Sequence, residues 1–339
     1  MLDFPADLTP RVLADIDDMY GALADETPEG GPFWQQLGEQ HRQMIASSGF
    51  ANFKRTINFQ YGQWGISTYR NRFTARLLFA LLRRGRMPKI ARVDYSNVEG
   101  IRWKQGHATP ARLNAYALYC GLLWQYAETL DTLNGLGVEE PSFGNPMPIR
   151  LGSRLISQDL AMASLSLNLI AKFASPHSVR RILEIGAGYG RIAYLARSLF
   201  PVEQYMIVDI PPTLAVSQNY LATIFGEDSV ERFSRTPTFS RTFNFILPHQ
   251  IAGLTDNHFD LAINFSSFDE MPSQTVLTYL QLIDRVCSGH VCLGGYAHPA
   301  HRGDFLGLDE FPYNPRWRQV LNSKHEIFSG FIEKILRVN

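Results

Sequence analysis

Short apolar runs punctuate the second half of the chain at regular intervals. Residues 181–185, 204–208, 243–247, 259–264 and 290–294 each read as a buried strand. Helical stretches separate them: 191–199, 211–225 with proline at its start, and 274–287, which Ser273 can cap. Strand and helix in alternation predict an α/β fold built on a doubly wound parallel sheet. Two more strand candidates, 325–328 and 331–338, lie either side of Ser329-Gly330 and predict an antiparallel hairpin at the sheet's edge.

The first half carries a different pattern. Residues 75–84 are dense in strong helix formers and stop at Gly85, with Pro88 beyond. A long apolar helix is expected over 111–133, ending near Gly135, and a further one over 157–173. Between them, 139–148 is rich in Pro, Gly and Asn and is the best candidate linker. The reading is a mainly helical N-terminal domain, 1–150, followed by an α/β domain, 151–339. The helical domain is expected to cover the substrate side and to offer a dimer contact.

Charge refines this picture. Lys+Arg and Asp+Glu are both 32, so zero net charge argues against an overall polyanion binder. Its distribution is uneven: residues 1–39 hold nine acids and one base, whereas 40–93 hold eleven bases and no acid. Two readings follow: the acidic segment packs on the basic one, within a chain or across a dimer, or the basic segment binds an anion such as a phosphate or RNA. Three scattered cysteines, Cys120, Cys287 and Cys292, make neither a disulfide framework nor a metal motif, and point to a reducing, cytoplasmic compartment. The start is acidic and lacks a basic leader region, and the apolar stretches 113–127 and 155–171 have polar breaks too early for a membrane span.

The strongest chemical signal is Glu184-Ile-Gly186-Ala-Gly188-Tyr-Gly190-Arg, placed where a strand ends and a helix begins. Glycines there let the backbone approach a ligand and take positive φ. Asp209 closes the next strand, nineteen residues after Gly190, where an acid can accept ribose hydroxyls. A dinucleotide would want Gly-x-Gly-x-x-Gly. Counted from Gly186 the pattern fails at Arg191; counted from Gly188 it reaches the variant ending at Ala193, which keeps NAD open but leaves Glu184 without a role.

The motif Glu-x-Gly-x-Gly-x-Gly with a following acid resembles motif I of the class I S-adenosylmethionine-dependent methyltransferases. That resemblance implies a Rossmann-like, seven-stranded sheet with an antiparallel closing pair. It implies that Gly186, Gly188 and Gly190 line the methionine and ribose of S-adenosylmethionine, that Glu184 supports the loop or the methionine amino group, and that Asp209 holds the ribose. Three segments, Arg154-Leu-Ile-Ser-Gln158-Asp-Leu-Ala, Val208-Asp209-Ile-Pro-Pro-Thr213-Leu and Asn264-Phe-Ser-Ser-Phe268-Asp269-Glu270-Met271, resemble the sugar O-methyltransferases of polysaccharide and natural-product gene clusters. The stretch 53–64 extends the match. Its implied product is a methylated sugar or glycoside and S-adenosylhomocysteine.

Methyl transfer from a sulfonium needs alignment above all, but a neutral sugar hydroxyl also wants a base or a metal. Two clusters supply candidates. After the fourth strand, Asn264 can reach the cofactor, while Asp269 and Glu270 are adjacent acids; each acid has the plainer alternative of a structural role, Glu270 as the start of the next helix. After the fifth strand, Tyr296-Ala-His298-Pro-Ala-His301-Arg302-Gly-Asp304 brings two histidines to a loop, with His298 or His301 as base. Metal dependence is left open by this spacing. His249 and Gln250, after the third strand, are expected in the adenine pocket, and Gln158 near the methionine carboxylate. The aromatic, proline-rich segment 309–317 is a candidate lid. Competing functions are an O- or N-methyltransferase of a non-sugar natural product, an RNA methyltransferase using 40–93, and a non-catalytic cofactor-binding protein.

Overall fold

The computed structural model describes residues 7–23, 31–57, 71–98, 101–103, 106–107, 109–130, 137–175, 177–298, 304–325, 327–328 and 330–338. Its contacts divide the chain into two units: Met1–Thr9 with Gln43–Leu169, and Pro10–Arg42 with Ile170–Asn339. Among the described residues, five helices precede the large sheet: α1 (Thr9–Leu23), α2 (Gly31–Ser48), α3 (Asn71–Arg83), α4 (Pro110–Thr129) and α5 (Gln158–Phe173). Contacts thus group residues differently from a cut at 150. The physical reason lies in α1, where Asp15 accepts hydrogen bonds from Gln218 and Asn219 and pairs with Arg232, tying the helix to the sheet's unit.

In the first unit α4 is the central element. Thr109 caps it, Pro110 opens it, and its residues are buried nearly all round, as a helix without a polar face must be. Strands β1 (Arg92–Val93), β4 (Ile149–Leu151) and β5 (Arg154–Ile156) form a small antiparallel sheet, and β2 (Arg102–Trp103) pairs with β3 (Gly106–His107). The expected linker 139–148 is no linker. It lies inside this unit, with Phe143 edge-on to Phe50 and tilted against Phe53, and with Glu140 buried against Lys54. Proline and glycine here shape a packed loop rather than a hinge.

The second unit carries one sheet of eight strands: β6 (Arg181–Ile185), β7 (Gln204–Val208), β8 (Val230–Glu231), β9 (Phe243–Ile246), β10 (Phe259–Phe265), β11 (Cys287–Tyr296), β12 (Arg318–Lys324) and β13 (Phe331–Arg337). Their spatial order is β12-β13-β11-β10-β6-β7-β9-β8. All neighbours run parallel except the closing pair, where β13 is antiparallel to both β11 and β12. This is the Rossmann-like, seven-stranded arrangement implied by the sequence resemblance, with the two-residue β8 added at one edge. Helices α6 (Arg191–Leu199), α7 (Pro211–Phe225) and α8 (Ser273–Val286) join the strands.

Three expectations change here. The first closing strand is 318–324; His325, Ile327 and Phe328 instead lie between the two closing strands, where the His325 ring nitrogen accepts the Ile327 and Phe328 N–H groups. The candidate lid 309–317 is tied down: Phe311 and Trp317 are buried, and the Trp317 indole donates to Asp284 at 2.7 Å. Ser273 is the first residue of α8 rather than its cap, and its hydroxyl bonds Asp304. Among the described residues no helix is long and apolar enough to cross a membrane.

Candidate functional site

The glycine loop turns directly off β6. Gly186, Gly188 and Gly190 all take left-handed backbone, with φ of 74°, 60° and 87°. The Gly186 N–H donates to the Val208 carbonyl at 2.8 Å, which welds the turn to the end of β7. A side chain at Gly186 would collide with Ser267, whereas a Cβ at Gly188 would meet nothing within 4 Å. Gly188 therefore faces open space, with its N–H fixed by Asp209 Oδ2 at 3.0 Å.

Asp209 is held from two sides. Its Oδ1 accepts the Ile210 N–H and the Thr213 hydroxyl, both at 2.8 Å. Thr213 stands one turn on in α7, which Pro211 and Pro212 start abruptly. Even with these donors, burial lifts the Asp209 carboxyl to about 6. Glu184, inside the sheet, accepts the Tyr205 hydroxyl at 2.7 Å, and burial lifts it to about 7. Tyr205 and Thr213 escaped the sequence reading: Thr213 sits four residues past the acid and carries that signal, but Tyr205 meets Glu184 only through strand pairing.

At the end of β10 the chain bends sharply. Ser266 has φ of 61°, uncommon outside glycine, and donates its N–H to Gly294 on β11 at 2.7 Å. The Asn264 amide donates to the Ile185 carbonyl at 2.8 Å and accepts the Phe268 N–H at 3.1 Å. Asn264 thus latches the ends of two strands together and positions the loop, where the sequence suggested direct reach to a ligand. Asp269 is buried and accepts the Tyr296 N–H at 3.1 Å. Glu270, half-buried in a short 3-10 turn before α8 begins, is raised to about 8 by burial and by its neighbour Asp269. Tyr296, at the end of β11, is raised in the same way, by burial and by both acids.

The remaining candidates separate. His298 is exposed after β11, and its field lowers Asp309 along with the stronger hydrogen bond from Lys334. His301 lies outside the described residues, as do 58–64 of the aromatic stretch. His249 keeps a buried Nδ1 with no hydrogen-bond partner among the described residues. Gln250 braces its own loop instead, accepting Leu247 N–H at 2.9 Å and donating to Ser234 at 2.7 Å. Gln158, at the start of α5, belongs to the first unit, and its Oε1 is buried with no partner among the described residues. Among the described residues no group of three His, Cys, Asp or Glu gathers as a metal site.

The carboxyl ends of the central strands thus carry an open glycine turn with an acid able to take a diol beside it, and two more carboxyls lifted towards neutrality lie close by in sequence. Such an arrangement suits a ribose-bearing ligand next to proton transfer. No protein-family model matches the chain, and no curated protein matches it. Solved structures do. The PH0226 protein from Pyrococcus horikoshii OT3 is 14% identical over 54% of this chain and 92% of its own, with a TM-score of 0.42. A SAM dependent methyltransferase from Aquifex aeolicus is 9% identical over 51% and 89%, with a TM-score of 0.38. The [4+2]-cyclase SpnF is 14% identical over 52% and 80%, with a TM-score of 0.39.

Proposed function

We propose that the second unit binds S-adenosylmethionine and methylates a hydroxyl of a sugar or glycosylated small molecule. The observation that carries the cofactor reading is the turn at Gly186 to Gly190, with Gly188 open to a ligand and fixed by Asp209. Asp209 would take the ribose hydroxyls, the loop glycines the methionine and ribose, and His249 the adenine side. Glu184 would stiffen the loop through Tyr205. When bound, the cofactor supplies a methyl group already activated on a sulfonium sulfur.

The chain must then orient an acceptor oxygen and take its proton. Glu270, raised to about 8, has the affinity near neutrality that a base needs. His298 and His301 are the alternatives on the neighbouring loop. The sugar is supported by the three-segment sequence resemblance.

The test is a thermal shift with S-adenosylhomocysteine beside NAD⁺. At about 100 times its dissociation constant a ligand stabilises by roughly 2.7 kcal/mol, a visible rise in Tm. A rise with S-adenosylhomocysteine alone is expected, followed by label transfer to a panel of sugars and glycosides. A rise with NAD⁺ alone overturns the cofactor, and transfer only to non-sugar amines overturns the acceptor.

A further inference from the structure

The face of α3 turned away from α4 breaks the usual rule for a helix surface. Leu77 and Leu81 are buried, as the inward stripe should be. Yet Phe79 is 60% exposed and Leu82 45% exposed on the outer side. The chain then leaves the helix at Gly85, in left-handed backbone, and carries Met87 and Ile90 outward at 82% and 73% exposure. These are not the side chains of a loose loop. The Gln125 side chain clamps Lys89 from both sides, accepting its N–H at 2.7 Å and donating to its carbonyl at 2.9 Å. Ala91, next in line, is buried. The fold fixes the backbone here and holds the apolar side chains out.

Bases surround them. Arg76, Arg83, Arg86 and Lys89 are exposed, and among the described residues none of them forms an ion pair. The stretch 40–93 contains no acid to neutralise them. The acids of α1, expected to pack on this stretch, are engaged elsewhere in their own unit: Asp15 with Arg232, Asp18 with Arg235, and only Asp17 with a base of the stretch, Arg42. Exposed apolar side chains interleaved with unpaired bases fit one kind of surface above others, an apolar layer under a negative skin. A second copy docked on the same face by a two-fold axis would set like charges against each other. RNA would use the bases and leave Phe79, Met87 and Ile90 without a purpose.

We propose that this face docks on an anionic phospholipid surface, lying on the bilayer without crossing it. The test is co-sedimentation of the full chain with vesicles of phosphatidylcholine alone or mixed equally with phosphatidylglycerol. Binding is expected with the mixed vesicles, falling with added salt. Arg83→Gln and Arg86→Gln should each weaken partition roughly fivefold. A triple variant, Phe79→Ser with Met87→Ser and Ile90→Ser, should weaken it at least as much as both together; all three side chains are exposed, so Tm is expected to hold. Failure to bind the mixed vesicles at low salt overturns the proposal. So does binding that ignores the triple variant, or a concentration-dependent dimer that the triple variant abolishes while vesicle binding is absent.

Discussion

Two buried charge clusters, one in each unit, are built in opposite ways. In the first, Lys54 and Glu140 form a closed set: the ammonium pairs with one carboxylate oxygen and with the Pro141 carbonyl at 3.2 Å, while the Ser157 hydroxyl bonds the other oxygen at 2.5 Å. In the second, Glu184, Asp209 and Glu270 receive hydroxyls and N–H groups or a neighbouring acid, and burial pushes them to about 7, 6 and 8. A closed ion set holds a fold in one arrangement. Carboxyls buried without a counter-ion have their titration moved towards neutral pH, where a proton can be exchanged. The contrast sets a closed ion pair apart from the carboxyls of the candidate site without reference to any ligand.

Breaking the closed set should cost most. Lys54→Met leaves Glu140 buried without its cation and is expected to lose about 3–5 kcal/mol in urea unfolding. The double variant Lys54→Met/Glu140→Leu should lose clearly less, because no lone charge is left behind. Next comes Gly186→Ala, which adds a collision with Ser267 to a strained φ, for about 2 kcal/mol. Gly188→Ala has room for its methyl and should cost only about 1 kcal/mol, yet it should weaken S-adenosylhomocysteine at least as much in a titration. A Gly188→Ala protein that binds as well as the parent would show that the ligand does not come to this loop.

The open carboxyls predict a pH dependence. Glu270 is lifted from 4.5 to about 8, so the folded chain keeps a proton that the unfolded chain releases. Its contribution to stability is full below pH 4.5 and is lost as pH rises through 8. Glu270→Gln should flatten that slope and stabilise the protein by ~1–2 kcal/mol at pH 8.5 relative to pH 5, a figure reduced for its partial exposure. Methyl transfer should vanish in the same variant if Glu270 is the base. The smallest effect sharpens the contrast inside the sheet's own unit: Trp317→Phe removes one donor from the well-partnered Asp284 and should cost about 1 kcal/mol.

Much of the sheet was legible in the chain because period and punctuation agreed. Strands 181–185 and 204–208 are short and mostly apolar, and Pro211 and Gly226 bracket α7. Strand β12 was not legible. Arg-Gln-Val-Leu-Asn-Ser-Lys lies at the sheet's edge, half in water, with a register irregularity between Gln319 and Leu321, so its apolar alternation is weak. The site divides likewise. Glycines and the strand-end acid announce themselves by local geometry. Asn264 as a latch, Ser267 as the wall of the turn, and Tyr205 on Glu184 depend on which strands lie side by side, which spacing along one chain does not encode.

Strand β13 has one further implication. It lies between β11 and β12, antiparallel to both, although it follows them in sequence. A nascent chain halted before residue 331 would expose the unpaired amides of β11 as an open edge, while 318–324 waited with no neighbour to join. Such an edge invites pairing with another chain. Completion of the sheet therefore waits for 331–337, and until that strand is in place the edge of β11 stays open to pairing with other chains.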